Sequence, residues 1–229
     1  MSFSIKKGEK IAIVGYNGAG KSTLVKLLMR LYDPESGEVQ CNGKSVKNYR
    51  LDEYRGKYGA LFQDFKLFAC SIAENVVASP YDKQRDEGRV LDALHKSEFD
   101  AKLATLEQGI DTPLTREYKE NGVNLSGGEE QKVAIARVLA HDCDVIVMDE
   151  PSSALDPIAE YEINNTIMRE AADRTIIFIS HRLSTTRMAD RILMFADGRL
   201  IEQGSHEELM SLDGKYAEMF NMQAEKYRK

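Results

Sequence analysis

No apolar run in this sequence approaches the roughly 20 residues needed to span a bilayer. Its apolar runs are short, such as Val145 to Met148 and Ile176 to Ile179. An excess of positive charge is also lacking. Thirty-one Lys+Arg stand against 37 Asp+Glu, a formal net charge of -6, which argues against nucleic acid as a partner, since gripping its backbone needs a basic face. No secretory pattern opens the chain, because Met1-Ser2-Phe3-Ser4-Ile5 passes straight into Lys6-Lys7-Gly8. Cysteine is sparse: Cys41, Cys70 and Cys143 are odd in number, widely spaced and form no Cys-x-x-Cys pair. They read as reduced, buried thiols rather than a disulfide framework or a metal site. Repeats and low-complexity tracts are absent, which excludes solenoids and tail-bearing proteins. What remains is a chain of 229 residues, 42% apolar and 30% charged. That is the balance of a globular, cytosolic protein with room for a sizeable core.

Three segments are continuously apolar and rich in β-branched residues, the pattern of buried parallel strands. They are Lys10 to Val14, Asp144 to Met148 and Thr175 to Ile179. Each leads through a polar turn into a helical pattern, which predicts an α/β core with ligands at the carboxyl ends of its strands. Ile192 to Phe195 and Arg199 to Glu202 flank Asp197-Gly198, a hairpin signal. Ser205 and Glu208 form a capping box before a short terminal helix. Glu87 to Leu106 reads as helical, with no strand-like run before residue 144. A helical lobe over 70–140 is therefore expected inside a core made of 1–69 and 141–229.

After the first strand comes Gly15-Tyr16-Asn17-Gly18-Ala19-Gly20-Lys21-Ser22-Thr23, then a helical run from Leu24 to Leu31. This fits G-x-x-x-x-G-K-[ST]. Glycines let successive backbone N–H groups turn inward around phosphate oxygens, and the helix start adds partial positive charge. Lys21 can reach the β- and γ-phosphates, and the Ser22 hydroxyl can ligate Mg²⁺. At the end of the second apolar strand stand two carboxylates, Asp149 and Glu150. Asp149 suits Mg²⁺ orientation, generally through a water, and Glu150 suits a general base toward the attacking water. Taken alone, the pair also fits two solvated acids at a strand end. Leu125-Ser126-Gly127-Gly128-Glu129-Glu130-Gln131 opens a helix predicted to run through Ala140, with Ser126 and Glu129 as a capping box. It is either an ordinary cap or a second anion site, since two glycines expose backbone N–H groups there.

In these ordered motifs the sequence resembles the nucleotide-binding domain of an ATP-binding cassette (ABC) transporter, of the bacterial exporter type, over essentially the whole chain. The resemblance implies a single ABC ATPase domain over 1–229, with a P-loop NTPase (RecA-like) core, an antiparallel β subdomain and an inserted helical lobe. Gly15 to Thr23 matches Walker A, so that Gly15, Asn17, Gly18, Gly20, Lys21, Ser22 and Thr23 are expected to bind ATP. Gln63 matches the Q-loop glutamine, and Leu125 to Gln131 the signature, with Glu129 where many exporters carry glutamine. Val145 to Glu150 matches Walker B, Ser153 to Asp156 the D-loop, and His181 the switch histidine. The resemblance implies that Glu150, His181, Gln63 and Lys21 are catalytic. It further implies that Ser22, Gln63 and Asp149 hold Mg²⁺, and that Ser126, Gly127, Gly128 and Asp156 complete the ATP site across a dimer. His95, His141 and His206 read as ordinary helix or cap residues, and Asp156-Pro157 as a helix cap followed by proline at the first position.

The implied partners are a second cassette, identical or not, meeting this one head to tail, and the transmembrane domain of an exporter on the cytoplasmic side of a membrane. Phe65 to Ser71 is the expected docking surface for that domain. Glu120-Asn121-Gly122 departs from the exporter pattern at Asn121, where arginine is usual. Only 14 residues precede Gly15. The adenine-stacking aromatic of the family belongs about ten residues further upstream, so the sequence is expected to begin inside the first sheet. Two other classes remain: a soluble ABC ATPase acting on nucleic acid or in translation, and an unrelated P-loop kinase or GTPase. A cassette that binds ATP without hydrolysis fits poorly beside Lys21, Gln63, Glu150 and His181.

Overall fold

The computed structural model describes residues 1–115, 122–149, 157–180 and 186–226. Its centre is a six-stranded sheet in the order β4-β5-β6-β1-β7-β8. The strands are β1 (Lys10–Val14), β4 (Tyr58–Leu61), β5 (Val145–Asp149), β6 (Thr175–Ile179), β7 (Arg191–Ala196) and β8 (Arg199–Gly204). β1 pairs in parallel with β6 on one side and β7 on the other, and β5 pairs in parallel with β6. A strand enclosed on both faces has no use for polar alternation, and every residue of β1 and β6 is buried. The expected parallel α/β core is present.

The chain divides into two compact units. The first comprises 1–60, 143–150 and 173–229. It contains α1 (Lys21–Leu28), α2 (Leu51–Arg55) and the small antiparallel pair β2 (Gln40–Cys41) and β3 (Lys44–Ser45). On one side of its sheet, Ala12, Val14, Ile192 and Met194 pack against Leu209, Tyr216 and Met219 of the terminal helices, α8 (His206–Leu212) and α9 (Lys215–Lys226). The second unit comprises 61–142 and 151–172. Its helices are α3 (Ile72–Val77), α4 (Lys83–Lys96), α5 (Asp100–Leu103), α6 (Gly127–Ala140) and α7 (Pro157–Glu170). Ile72, Val76, Val90, Leu94, Phe99 and Val133 are part of its apolar core.

The helix expected over Glu87 to Leu106 is interrupted. α4 ends at Lys96, and Glu98 takes a left-handed φ of 61°. The Phe99 amide then donates back to the Leu94 carbonyl and the Glu98 amide to that of His95. This is a Schellman closure, accompanied by its usual apolar contact, since Leu94 and Phe99 both lie in the core. Burial of Phe99 outweighs the local helical preference. α1 likewise stops at Leu28, short of the expected Leu31. Arg30 turns left-handed at φ 53° and is held there because its guanidinium donates to the carbonyls of Val46 and Tyr49. β4 was not expected. It is four residues long, and the Tyr54 hydroxyl, which donates to the Leu28 carbonyl and accepts from the Tyr58 hydroxyl, anchors its approach.

The hairpin between β7 and β8 turns on Asp197 and Gly198 at φ 48° and 71°, the left-handed pair that a type I′ turn requires. All three cysteines are free thiols, but only Cys143 is buried; Cys41 and Cys70 are half-buried, contrary to expectation. Their positions on a short edge ladder and in a loop explain the difference. Among the described residues, no helix is long and apolar enough to cross a membrane.

Ile13 is fully buried on the central strand, flanked by Ile179 and Leu193. Ile13→Ala is expected to lower stability by about 2–5 kcal/mol, read from urea unfolding. A loss below about 1 kcal/mol would mean that the sheet is not the stabilising core described here.

Candidate functional site

The phosphate loop leaves β1 at its carboxyl end and enters α1. Gly15, Gly18 and Gly20 have φ values of 150°, 81° and 95°, which L side chains adopt only under strain. Space adds a second constraint at Gly15, where a methyl carbon would lie 2.3 Å from the carbonyl oxygen of Phe195; at Gly20 it would only touch the Cα of Gly198, at 3.4 Å. The β7–β8 hairpin therefore backs the loop, and the Gly198 amide donates to the Ala19 carbonyl at 3.1 Å. The amide of Ala19 in turn donates to the Tyr16 carbonyl at 3.1 Å, which closes the loop on itself.

α1 starts differently from most of its neighbours. Ser71, Asp82, Ser126 and Ser205 each cap their helix with a side-chain oxygen. Gly20, the residue before α1, has no side chain to offer and makes no such bond. The first-turn N–H groups of α1 are thus not capped by the residue before them and sit at the positive end of the helix dipole. Lys21 is buried at 7% exposure, and its ammonium donates to the carbonyls of Gly15 (2.9 Å) and Tyr16 (3.2 Å). Two carbonyl oxygens compensate the desolvated charge while holding it inside the loop. Tyr16, Asn17, Gly18, Ser22 and Thr23 are exposed.

Asp149 ends β5 opposite Ile179, and Ile13 lies opposite the same residue from the other side. Asp149 is therefore level with the end of β1 and two strands away, roughly 10 Å at ordinary strand spacing. Its carboxylate and the Ser22 hydroxyl are oxygen donors, the type a hard divalent cation takes. One carboxylate and one hydroxyl fit Mg²⁺, which is usually held by one or two protein oxygens together with phosphate and water. The left-handed glycines, the uncapped helix and the buried lysine fit a polyphosphate.

Ser126 and Glu129 lie in the second unit and form the expected reciprocal box. The Ser126 hydroxyl accepts from the Glu129 amide (3.4 Å), and the Glu129 carboxylate accepts from the Ser126 amide (2.8 Å). Lys102 pairs with the same carboxylate at 3.2 Å. The Ser126 amide first, and Lys102 with it, hold the Glu129 carboxyl below the ordinary glutamate range. The box uses the amide of the third helical residue. Helix geometry leaves those of Gly127 and Gly128 without an intrahelical acceptor. Gln63 is exposed in the turn after β4, where the Phe65 amide donates to the Phe62 carbonyl. Phe68, in the expected docking segment, is 60% exposed.

Glu150, Ser153 to Asp156, His181, Glu120 and Asn121 lie outside the described residues, although α7 does begin at Pro157. Of the remaining histidines, His95 pairs with Asp100, His206 bonds the Tyr216 hydroxyl and His141 follows α6. Sequence reasoning missed the hairpin as a wall of the phosphate loop; the Asp197-Gly198 signal marked the turn but not its neighbour.

A family model described as "ABC transporter" matches residues 1–153. An "ATP-dependent lipid A-core flippase" of Vibrio vulnificus is 40% identical over 225 residues, covering 97% of this chain and 37% of that protein. A protein of the same description from Coxiella burnetii is 40% identical over 228 residues, with 97% and 37% covered. Among solved structures, a bacterial Atm1-family ABC exporter with ATP bound superposes with a TM-score of 0.86 at 40% identity, covering 98% of this chain and 38% of that one. The chain thus spans a little over a third of the length of these relatives.

Gly18→Ala is expected to cost about 1–2 kcal/mol, the ordinary left-handed penalty, because its surroundings are open. Gly15→Ala should cost more, since the Phe195 carbonyl must also move. Equal urea midpoints for the two variants would show that the hairpin does not hold the loop.

Proposed function

The chain belongs to the ABC transporter family and is an ATPase domain of it; from that premise we propose that it is the motor of a bacterial membrane exporter, working as a head-to-tail dimer. One observation carries the reading: a helix with no side-chain cap, entered through three left-handed glycines, with a buried lysine turned into the loop. Such a site takes a polyphosphate, and the family supplies ATP as the substrate.

In this reading the loop amides and Lys21 hold the β- and γ-phosphates. Gly15, Asn17, Gly18, Gly20 and Thr23 shape and line the cradle. Ser22, Asp149 and Gln63 would hold Mg²⁺, which draws charge from the phosphate oxygens when bound. Glu150 takes a proton from the attacking water, while His181 keeps that water and the γ-phosphate in line. The second chain closes the site with Ser126, Gly127 and Gly128, whose helix start faces the γ-phosphate, and with Asp156. Each chain supplies one half of two sites. Cleavage of the γ-phosphate removes the charge that bridges them, so closure and opening follow the nucleotide.

The exposed segment around Phe68 is where the exporter's transmembrane domain would engage, on the cytoplasmic face of the membrane. Relatives described as lipid A-core flippases support a lipid as cargo. Its choice would rest with the transmembrane domain. A domain organisation of core (1–69 and 141–229) and helical lobe (70–140) belongs to this same reading.

Size-exclusion chromatography of Glu150→Gln with and without ATP tests it. The apparent mass should double from 25.8 kDa with ATP, and Ser126→Arg on the same background should abolish the doubling. A single-chain species at saturating ATP contradicts the composite site.

A further inference from the structure

The loop from Phe65 to Cys70 has no regular structure, yet two helical side chains hold it. Asn75, on α3, is fully buried. Its Oδ1 accepts from the Phe68 amide at 2.8 Å. Its Nδ2 donates to the carbonyls of Phe68 and Ser71, each at 3.0 Å, and lies 3.3 Å from Cys70 Sγ. Arg137, on α6, donates from Nε to the Asn75 carbonyl (2.7 Å), from Nη2 to Asn75 Oδ1 (3.1 Å) and from Nη1 to the Lys66 carbonyl (3.2 Å). Its guanidinium also sits 5.4 Å from the centre of the exposed Phe68 ring. Every polar atom of these two side chains is directed at the loop or at the other's backbone or amide. A buried amide costs free energy unless it is bonded, so its placement is narrowly defined.

α6 is the helix that Ser126 opens. Eleven positions separate Ser126 from Arg137 (137 minus 126), about 16 Å along the axis. A continuous α-helix of that length moves as one body. We propose that Asn75 and Arg137 are positioning residues that lock the Phe68 loop to α6, so that engagement of the Ser126 turn by nucleotide displaces the loop with it. This rests on the composite-site reading above. Arginine is required, because only its planar fork reaches two carbonyls and an amide oxygen at once while stacking on a ring.

Amide hydrogen exchange of the Glu150→Gln chain, with and without ATP, separates the alternatives. In the parent, ATP should slow exchange both at 124–130 and at 65–71. Arg137→Lys should retain the response at 124–130 and reduce that at 65–71 on the order of threefold or more. Asn75→Asp, of the same size, keeps an oxygen for Arg137 but loses the donors to Phe68 and Ser71, and should uncouple the loop in the same way. It also decides the matter if Arg137→Lys does not fold. A merely structural role would instead raise exchange in both segments regardless of ATP. A response at 124–130 alone in the parent overturns the lock and leaves the composite site standing. Equal responses at 65–71 in parent and variants also overturn it. No response at either segment overturns the lock together with the reading on which it rests.

Discussion

The opening turn of a helix presents backbone N–H groups that the helix cannot satisfy, and this chain does not treat all its helix starts alike. At α3, α4, α6 and α8 a serine or aspartate oxygen takes one of those amides. At α1 the preceding residue is glycine, which has no side chain to offer as a cap. The rest of the phosphate loop follows from that choice. Glycines at positive φ are what allow the chain to reach the helix without covering its amides, and a lysine at the first position supplies fixed positive charge inside the turn. α6 is intermediate, since its box uses one amide and leaves the two glycine amides that precede it.

The loop is also constrained from behind. Gly15 must be glycine for a reason beyond its torsion, because the Phe195 carbonyl occupies the place of a side chain. The β7–β8 hairpin is therefore part of the site's support even though none of its residues bears phosphate chemistry. Parallel pairing of β1 with β6 and β7, and of β6 with β5, brings the loop and Asp149 to the carboxyl ends of the strands. In the second unit the Asn75–Arg137 pair has a similar supporting place, tying an irregular segment to a regular one.

What the sequence disclosed was local. The three apolar strands, the Asp197-Gly198 turn, the Ser126 and Ser205 boxes and the glycine-lysine loop each lie within a few residues, and each appears as read, within a residue or two. What it did not disclose depends on distant partners. Glu98 breaks a helical pattern because Phe99 is drawn into the core, and Arg30 ends α1 because carbonyls of Val46 and Tyr49 hold its side chain. β4 is too short and too glycine-bearing to show a period. Nothing local marks Asn75; only the fold shows that it binds the backbone of the loop before it. The site roles of Asp156 and His181 came only from the family resemblance and that of Glu150 also from its place at a strand end beside Asp149; all three remain part of the proposal.

The central claim is that one chain's phosphate loop works with another chain's Ser126 turn. Mixing two variants tests it most directly. Lys21→Ala and Ser126→Arg should each hydrolyse almost no ATP alone. Mixed in equal amounts, the two can pair, and every mixed dimer holds one intact site. The account predicts a rate well above the sum of the two components. A mixture no faster than the sum of its two components would contradict it.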